Sequence, residues 1–286
     1  MAYKKYIDIE KIFREKAPKA FKWTPKFLIN YIKRIVHEED LNRFENENHD
    51  KFEFEYLDAA LAEVGATLTY TGLEHIPKEG GCIIASNHPL GGIDGMALLQ
   101  IVGKVRKDLR FLVNDILTNL VNFGKLFVPV NKVGNTSTEN LKYIDEIYAS
   151  DNVTMIFPAG LVSRKIDGKI KDLTWNKSFI RKAVQYKKPV IPVLVNGQLS
   201  SFFYGLSKFR KMIGIKANIE MIYLPNEMYK LKNSTTHFIF GKPIPYTVFD
   251  KSKRPDVWAE LMRQFVYQLK ERPNLAFDEF LKEINS

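Results

Sequence analysis

The sequence predicts an α/β fold: one domain with a mostly parallel central sheet flanked by helices, preceded by an N-terminal helical extension. Three observations predict it. Short apolar runs such as "CIIAS" and "VIPVLV" alternate with amphipathic segments along the chain. Most runs end in Gly, Pro or polar residues, the signature of strands that stop at turns. The 286 residues, 45% hydrophobic and 13% aromatic, are enough for a real core, and no repeat, low-complexity tract or Gly/Ser linker divides them. Residues 1–50 read as the extension and residues 51–286 as the domain.

The elements follow in order. In "KFLINYIKRIV", Phe27, Leu28, Tyr31, Ile32, Ile35 and Val36 step by one, three and four, which marks one face of a helix. Residues 1–36 carry ten Lys and Arg against Asp8, Glu10 and Glu15. Residues 37–55 reverse this with eight acids against Arg43 and Lys51, and read as an acidic linker. "ATLTYTG" and "GCIIASNH" then read as strands joined by the turn "LEHIPKEGG". "IDGMALLQIVGKV" reads as a helix, "DLRFLVN" and "GKLFVPVNK" as strands, and "STENLKYIDEIYAS" as a helix capped by Ser137 or Thr138. "NVTMIFPAG" is a buried strand, "SFIRKAVQYKKP" a helix ended by Pro189, and "VIPVLVNG" a strand. The apolar segments "ANIEMIYLP" and "THFIFGKPI" precede a long helix from about Asp256 to Leu269.

Composition and missing motifs narrow the function. Cys82 is the only cysteine, which excludes an intrachain disulfide and a cysteine-based zinc cluster, and suits the reducing cytoplasm. Its apolar setting reads as a buried strand position. The five histidines are scattered without metal-ligand neighbours, so no metal is expected. There is no Gly-x-Ser-x-Gly elbow, no phosphate-binding Gly-x-x-x-x-Gly-Lys loop and no dinucleotide fingerprint. No run reaches the ~18–20 apolar residues of a membrane span, and the N-terminus does not read as a secretory signal. The formal net charge of +10 suits anionic lipid or an acidic protein. It would also suit nucleic acid, but "FRKMIGIK" and "FKWTPK" are short for that role. The basic helix with Phe21 and Trp23 just upstream fits either a membrane interface or packing on the domain.

"SNHPLGGIDG", residues 86–95, places His88 after an apolar strand and Asp94 at the start of a helix. A carboxylate that accepts from one imidazole nitrogen leaves the other free as a base. A capped turn carrying an exposed His is the simpler account of the stretch taken alone. Three blocks follow it in order: "FGKLFVPVNK", "IFPAGLVSRK" and "KPVIPVLVNG".

Together these blocks resemble the glycerolipid acyltransferase family of the lysophosphatidate acyltransferase type, over about residues 66–245. The resemblance implies His88 as general base, Asp94 as its orienting carboxylate, and attack of a lipid hydroxyl on an acyl thioester. It implies an acyltransferase domain with no cofactor, the co-substrate being acyl-CoA or an acyl carrier protein. Asn87, Gly91, Gly92, Phe157, Pro158, Gly160, Ser163 and Arg164 would line the substrate site. The family's pattern has four residues between His and Asp, and here there are five; the glycine pair could absorb the extra residue in a tighter turn. The family's second-block Arg is Val130 here. In the third block its Glu is Ala159, its Thr is Leu161 and its first Arg is Val162. Those arginines hold the acceptor's phosphate, so their loss predicts a phosphate-free acceptor, with Lys132, Arg164 and Lys165 available for a carboxylate.

These forms are most similar to a bacterial hemolysin-like subgroup that works on aminolipids. The expected location is the cytoplasmic face of the inner membrane, held peripherally through anionic lipid. An N-acyltransferase, a lysophosphatidate acyltransferase and a non-enzymatic basic lipid-binding protein remain the alternatives.

Overall fold

A computed structural model describes residues 3–114, 117, 120–130 and 138–285. Its core is a seven-stranded sheet. The strands are β1 (Thr67–Thr71), β2 (Cys82–Ser86), β3 (Leu109–Val113), β4 (Phe127–Pro129), β5 (Val153–Ile156), β8 (Val190–Asn196) and β9 (Thr235–Phe240). Their spatial order is β1-β9-β8-β2-β5-β3-β4. Every neighbouring pair is parallel except β8 with β9. A separate antiparallel hairpin joins β6 (Arg164–Ile166) to β7 (Lys169–Lys171).

β2 shows why the sheet is covered on both faces. All five of its residues are buried, and they alternate between two apolar clusters. Cys82 and Ile84 pack into one, Ile83 and Ala85 into the other. Burial pushes the Cys82 thiol up to about 12, which keeps it protonated and inert. The first cluster is closed by α5 (Glu53–Val64) and α6 (Gly92–Val102), which contribute Leu57, Leu61, Ile93, Leu98 and Leu99. The second is closed by α7 (Thr138–Ala149), α8 (Ser178–Tyr186), α11 (Pro255–Gln268) and α12 (Phe277–Asn285), with Phe179, Trp258, Phe265 and Phe280 at its centre. Two helical layers around a parallel sheet are what continuous apolar strands require.

The N-terminal region is helical, in α1 (Ile9–Lys16), α2 (Pro18–Trp23), α3 (Lys26–Ile35) and α4 (Glu38–Asn48). The acid-rich segment expected as a linker is therefore mostly helix. Glu38, Glu39 and Asp40 sit in the first turn of α4, where they complement the helix dipole. Asn42 of α4 then accepts from the Tyr6 and Ile7 amides at 2.7 and 2.9 Å and ties the first residues down.

The segment 217–225 contains a 3-10 turn (Ile219–Tyr223) and the start of α10 (Leu224–Tyr229). α9 (Ser201–Met212), capped by the Ser200 hydroxyl, and the β6–β7 hairpin were not expected. Residues 131–137, including Ser137 and Lys132, lie outside the described residues.

α6 crosses β3 so closely that a side-chain carbon at Gly95 would stand 2.4 Å from Phe111 Cε1. Gly95→Val should therefore lower stability by about 1–3 kcal/mol. A urea midpoint unchanged from the native chain would contradict this packing.

Candidate active site

β2 lies at the middle of the sheet, with β8 on one side and β5 on the other. The chain leaves β2 for β3 on the β5 side and later returns through β8 on the opposite side, so the carboxyl end of β2 is a topological switch point. Open α/β sheets place ligands there. Ser86 ends the strand, and Asn87 and His88 follow it.

The turn after His88 delivers Asp94 back to it. His88 Nδ1 lies 3.0 Å from Asp94 Oδ2. The same oxygen accepts the Leu90 amide at 2.7 Å, closing the turn around the carboxylate. Gly91 makes this possible with φ 78° and ψ −136°, a conformation open in practice to glycine alone. The five-residue spacing thus brings His and Asp into contact.

Phe157, the first residue after β5, stacks flat on the imidazole at 4.0 Å and 16°. The parallel register Ala85 with Ile156 sets that meeting. With Nδ1–H donating to Asp94, Nε2 is the basic nitrogen, and it has no hydrogen-bond partner among the described residues. The His88 side chain is 16% exposed, enough for a reacting group to reach it.

Asp94 is fully buried and its Oδ1 has no hydrogen-bond partner among the described residues. Burial pushes its carboxyl up, against the opposing pull of His88 and the Leu90 amide. A second buried carboxylate, Asp172, holds the site from below. It accepts the His88 amide at 3.2 Å, the Ser163 hydroxyl at 2.5 Å and the Trp175 indole at 2.8 Å. The Ser163 amide in turn donates to the His88 carbonyl at 2.8 Å. Burial raises the Asp172 carboxyl too, while Ser163 and Trp175 lower it.

The other expected residues divide into two groups. Pro158 and Gly160 shape the turn after β5, where the Gly160 amide donates to the Phe157 carbonyl at 3.0 Å. Gly92 opens α6 beside Gly91. Lys165 is exposed at the mouth of two hollows. Three side chains are engaged with protein. Asn87 accepts the Val195 amide at 2.7 Å and donates to the Val195 carbonyl at 3.0 Å, locking β2 to β8. Ser163 is fully buried on Asp172. Arg164 is 3% exposed and pairs with Glu220 at 2.9 Å, where Arg210 also pairs. Strand alternation explains the last case: in β6, Arg164 points in and Lys165 points out.

Asp172 was not expected from the sequence. "DLTW" offers only an Asp three residues before a Trp, and its partners at 88 and 163 are distant in sequence.

A cavity of about 580 Å³ reaches the strand end through Asn87, Pro89 and Ser163, and Lys165, Lys169 and Lys270 edge it. A second, of about 830 Å³, continues past Lys165 to Tyr204, Lys208 and Lys211 of α9. His88 lines neither. Asn87 and Pro89, the residues on either side of His88, line the first of these cavities. Among the described residues no group of three or more His, Cys, Asp or Glu is arranged to hold a metal ion.

A family model described as an acyltransferase matches residues 11–275. A lyso-glycine lipid O-acyltransferase of Bacteroides thetaiotaomicron is 45% identical over 92% of this chain and 97% of its own length. A lyso-glycine lipid O-acyltransferase of Phocaeicola vulgatus is 44% identical over 92% of this chain and 95% of its own. The solved 1-acyl-sn-glycerophosphate acyltransferase of Thermotoga maritima matches with a TM-score of 0.48 and 17% identity, over 86% of this chain and 90% of that one.

The two buried carboxylates fix the sign of a pH dependence. Each has a folded pKa above its unfolded value, so its stabilising share is complete below about pH 4 and is lost as pH rises through the folded value. Asp94→Asn removes one of these groups. The melting temperature of that variant, relative to the native chain, should climb as pH rises above about 4. Parallel pH profiles for the two proteins would contradict the assignment.

Proposed function

This chain belongs to the acyltransferase family, and on that premise we propose that it esterifies the hydroxyl of a lyso-glycine lipid with His88 as general base. The observation that carries the reading is the His88–Asp94 contact, with Nε2 free at the carboxyl end of the central strand.

The step follows from that geometry. Nε2 takes the proton of the lipid hydroxyl as its oxygen attacks the carbonyl carbon of an acyl thioester. Asp94 stabilises the imidazolium that forms. The tetrahedral centre collapses with cleavage of the C–S bond, and the departing sulfur takes the proton from Nε2. An ester and a free thiol result, with no covalent enzyme intermediate. The donor is acyl-CoA or an acyl carrier protein.

The choice of a phosphate-free acceptor rests on where the cations are. Recognition of a phosphate calls for charge-assisted, often bidentate donors. Val130 and the buried Val162 occupy the two positions where the resembling family has arginines. Arg164 is held by Glu220. Lys165 at the mouth of the cavities suits a single carboxylate, the charge that a glycine headgroup carries. The same reading makes α1–α3, with their basic excess, the contact with the cytoplasmic face of the inner membrane. Among the described residues no helix is long and apolar enough to cross it.

Purified enzyme should acylate lyso-glycine lipid at least ~100-fold more efficiently than lysophosphatidate, since a phosphate would meet no paired guanidinium. Free glycine and other amines should give no product. His88→Ala should lower the rate about 10²–10⁴-fold with the melting temperature retained. Full activity in His88→Ala would remove the base from the mechanism, and preference for lysophosphatidate would remove the acceptor.

A further inference from the structure

Two stretches without a single acid meet on one side of the molecule. Residues 16–37 and residues 201–219 contain no Asp or Glu, and they carry Lys22, Lys26, Lys208, Lys211 and Lys216. Each stretch exposes large apolar side chains. Trp23 and Phe27 are 85% and 74% exposed; Phe209, Met212 and Ile213 are 52%, 75% and 51% exposed. The two patches are joined. Tyr31 of α3 meets Tyr223 through their hydroxyls at 2.9 Å, and Tyr223 packs edge-on against Phe202 of α9 at 5.0 Å.

Two of the acids that border these stretches are already neutralised. Glu38 pairs with Lys5 at 3.1 Å, and Glu220 is buried between Arg164 and Arg210. The five lysines themselves have no ion-pair partner among the described residues. A continuous apolar surface with a rim of uncompensated lysines is complementary to an anionic bilayer: the rings enter the interface and the ammonium groups stay at headgroup level.

We propose that α9, with Ile213 and the adjoining turn, is a second membrane-contacting element that lies in the interface of an anionic bilayer together with α2 and α3. Phe202, Phe209 and Met212 fall on one side of α9 at steps of seven and three, the side that faces out. Lys208 and Lys211 on its flank border the larger cavity. A bilayer held against this face therefore stands at the cavity mouth, and a lipid acceptor enters without crossing water. In that last consequence the inference rests on the proposed lipid substrate; the docking surface does not.

The test floats the full-length protein with vesicles of phosphatidylglycerol and phosphatidylethanolamine, and separately with phosphatidylcholine vesicles. The native chain should bind the anionic vesicles. F209E/M212E and W23E/F27E should each weaken that binding at least ~10-fold, with melting temperatures unchanged because all four side chains are exposed. K208A/K211A should weaken it about 25-fold, at about fivefold per near-surface lysine, and should leave the weak binding to phosphatidylcholine unaltered. Native-like flotation of F209E/M212E, with loss only in W23E/F27E, overturns the proposal. So does a native dimer that F209E/M212E dissociates while still floating, since α9 would then face a second copy. Flotation needs no acyl transfer, so absent activity on lyso-glycine lipid with α9-dependent binding would fell the substrate reading alone.

Discussion

Asp172 carries more of this site than its position suggests. One buried carboxylate receives the backbone amide of His88, the hydroxyl of Ser163 and the indole of Trp175. These groups come from three separate segments, so the loop after β2 and the loop leading into β6 are held as one piece. A half-satisfied buried charge is costly, and a fully engaged one orders its neighbours. Asp94 shows the contrast. Its Oδ2 is saturated and its Oδ1 has no partner among the described residues, so it orients His88 at some expense to the fold.

The division of labour between elements follows from the sheet. β2 is gripped from β8 through the Asn87 amide and from β5 through parallel pairing. His88 therefore stands at a strand end held from both sides. The groups that would meet the acceptor stand elsewhere, on the β6–β7 hairpin and α9. The buried Arg164–Glu220–Arg210 cluster fastens these two to each other. Under the proposed function, chemistry and acceptor recognition would thus be mounted on different parts of the fold.

That division also explains what the sequence revealed. The α/β class and the buried β2 depend on short-range pattern, and strand, turn and helix are readable from Cys82 to Val102; the pairing of His88 with Asp94 comes from the family resemblance, because the spacing alone fits a capped turn equally simply. The roles of Asn87, Ser163 and Arg164 depend on what lies opposite them. Each looked available for substrate, and each is engaged with Val195, Asp172 or Glu220. Direction was the missing information: a strand as short as β6 has no period long enough to say which of Arg164 and Lys165 faces inward. Asp172 was hidden because its tie to the site runs through His88, 84 residues away in the chain. The helices of the acidic segment were missed because charge reversal reads as a break, whereas three acids in a first turn also begin a helix.

The backbone at Gly91 has a consequence for how such a turn can change over time. At φ 78° and ψ −136°, a side chain there would be strained and would also press on Leu224. An extra residue between base and acid is therefore tolerated only in company with a glycine at this point. A lengthened turn lacking that glycine would swing the acid away from the base. A lone replacement of the glycine would strain the turn as it stands. Length and glycine are locked together, so the turn cannot exchange that glycine for another residue while keeping its five-residue span.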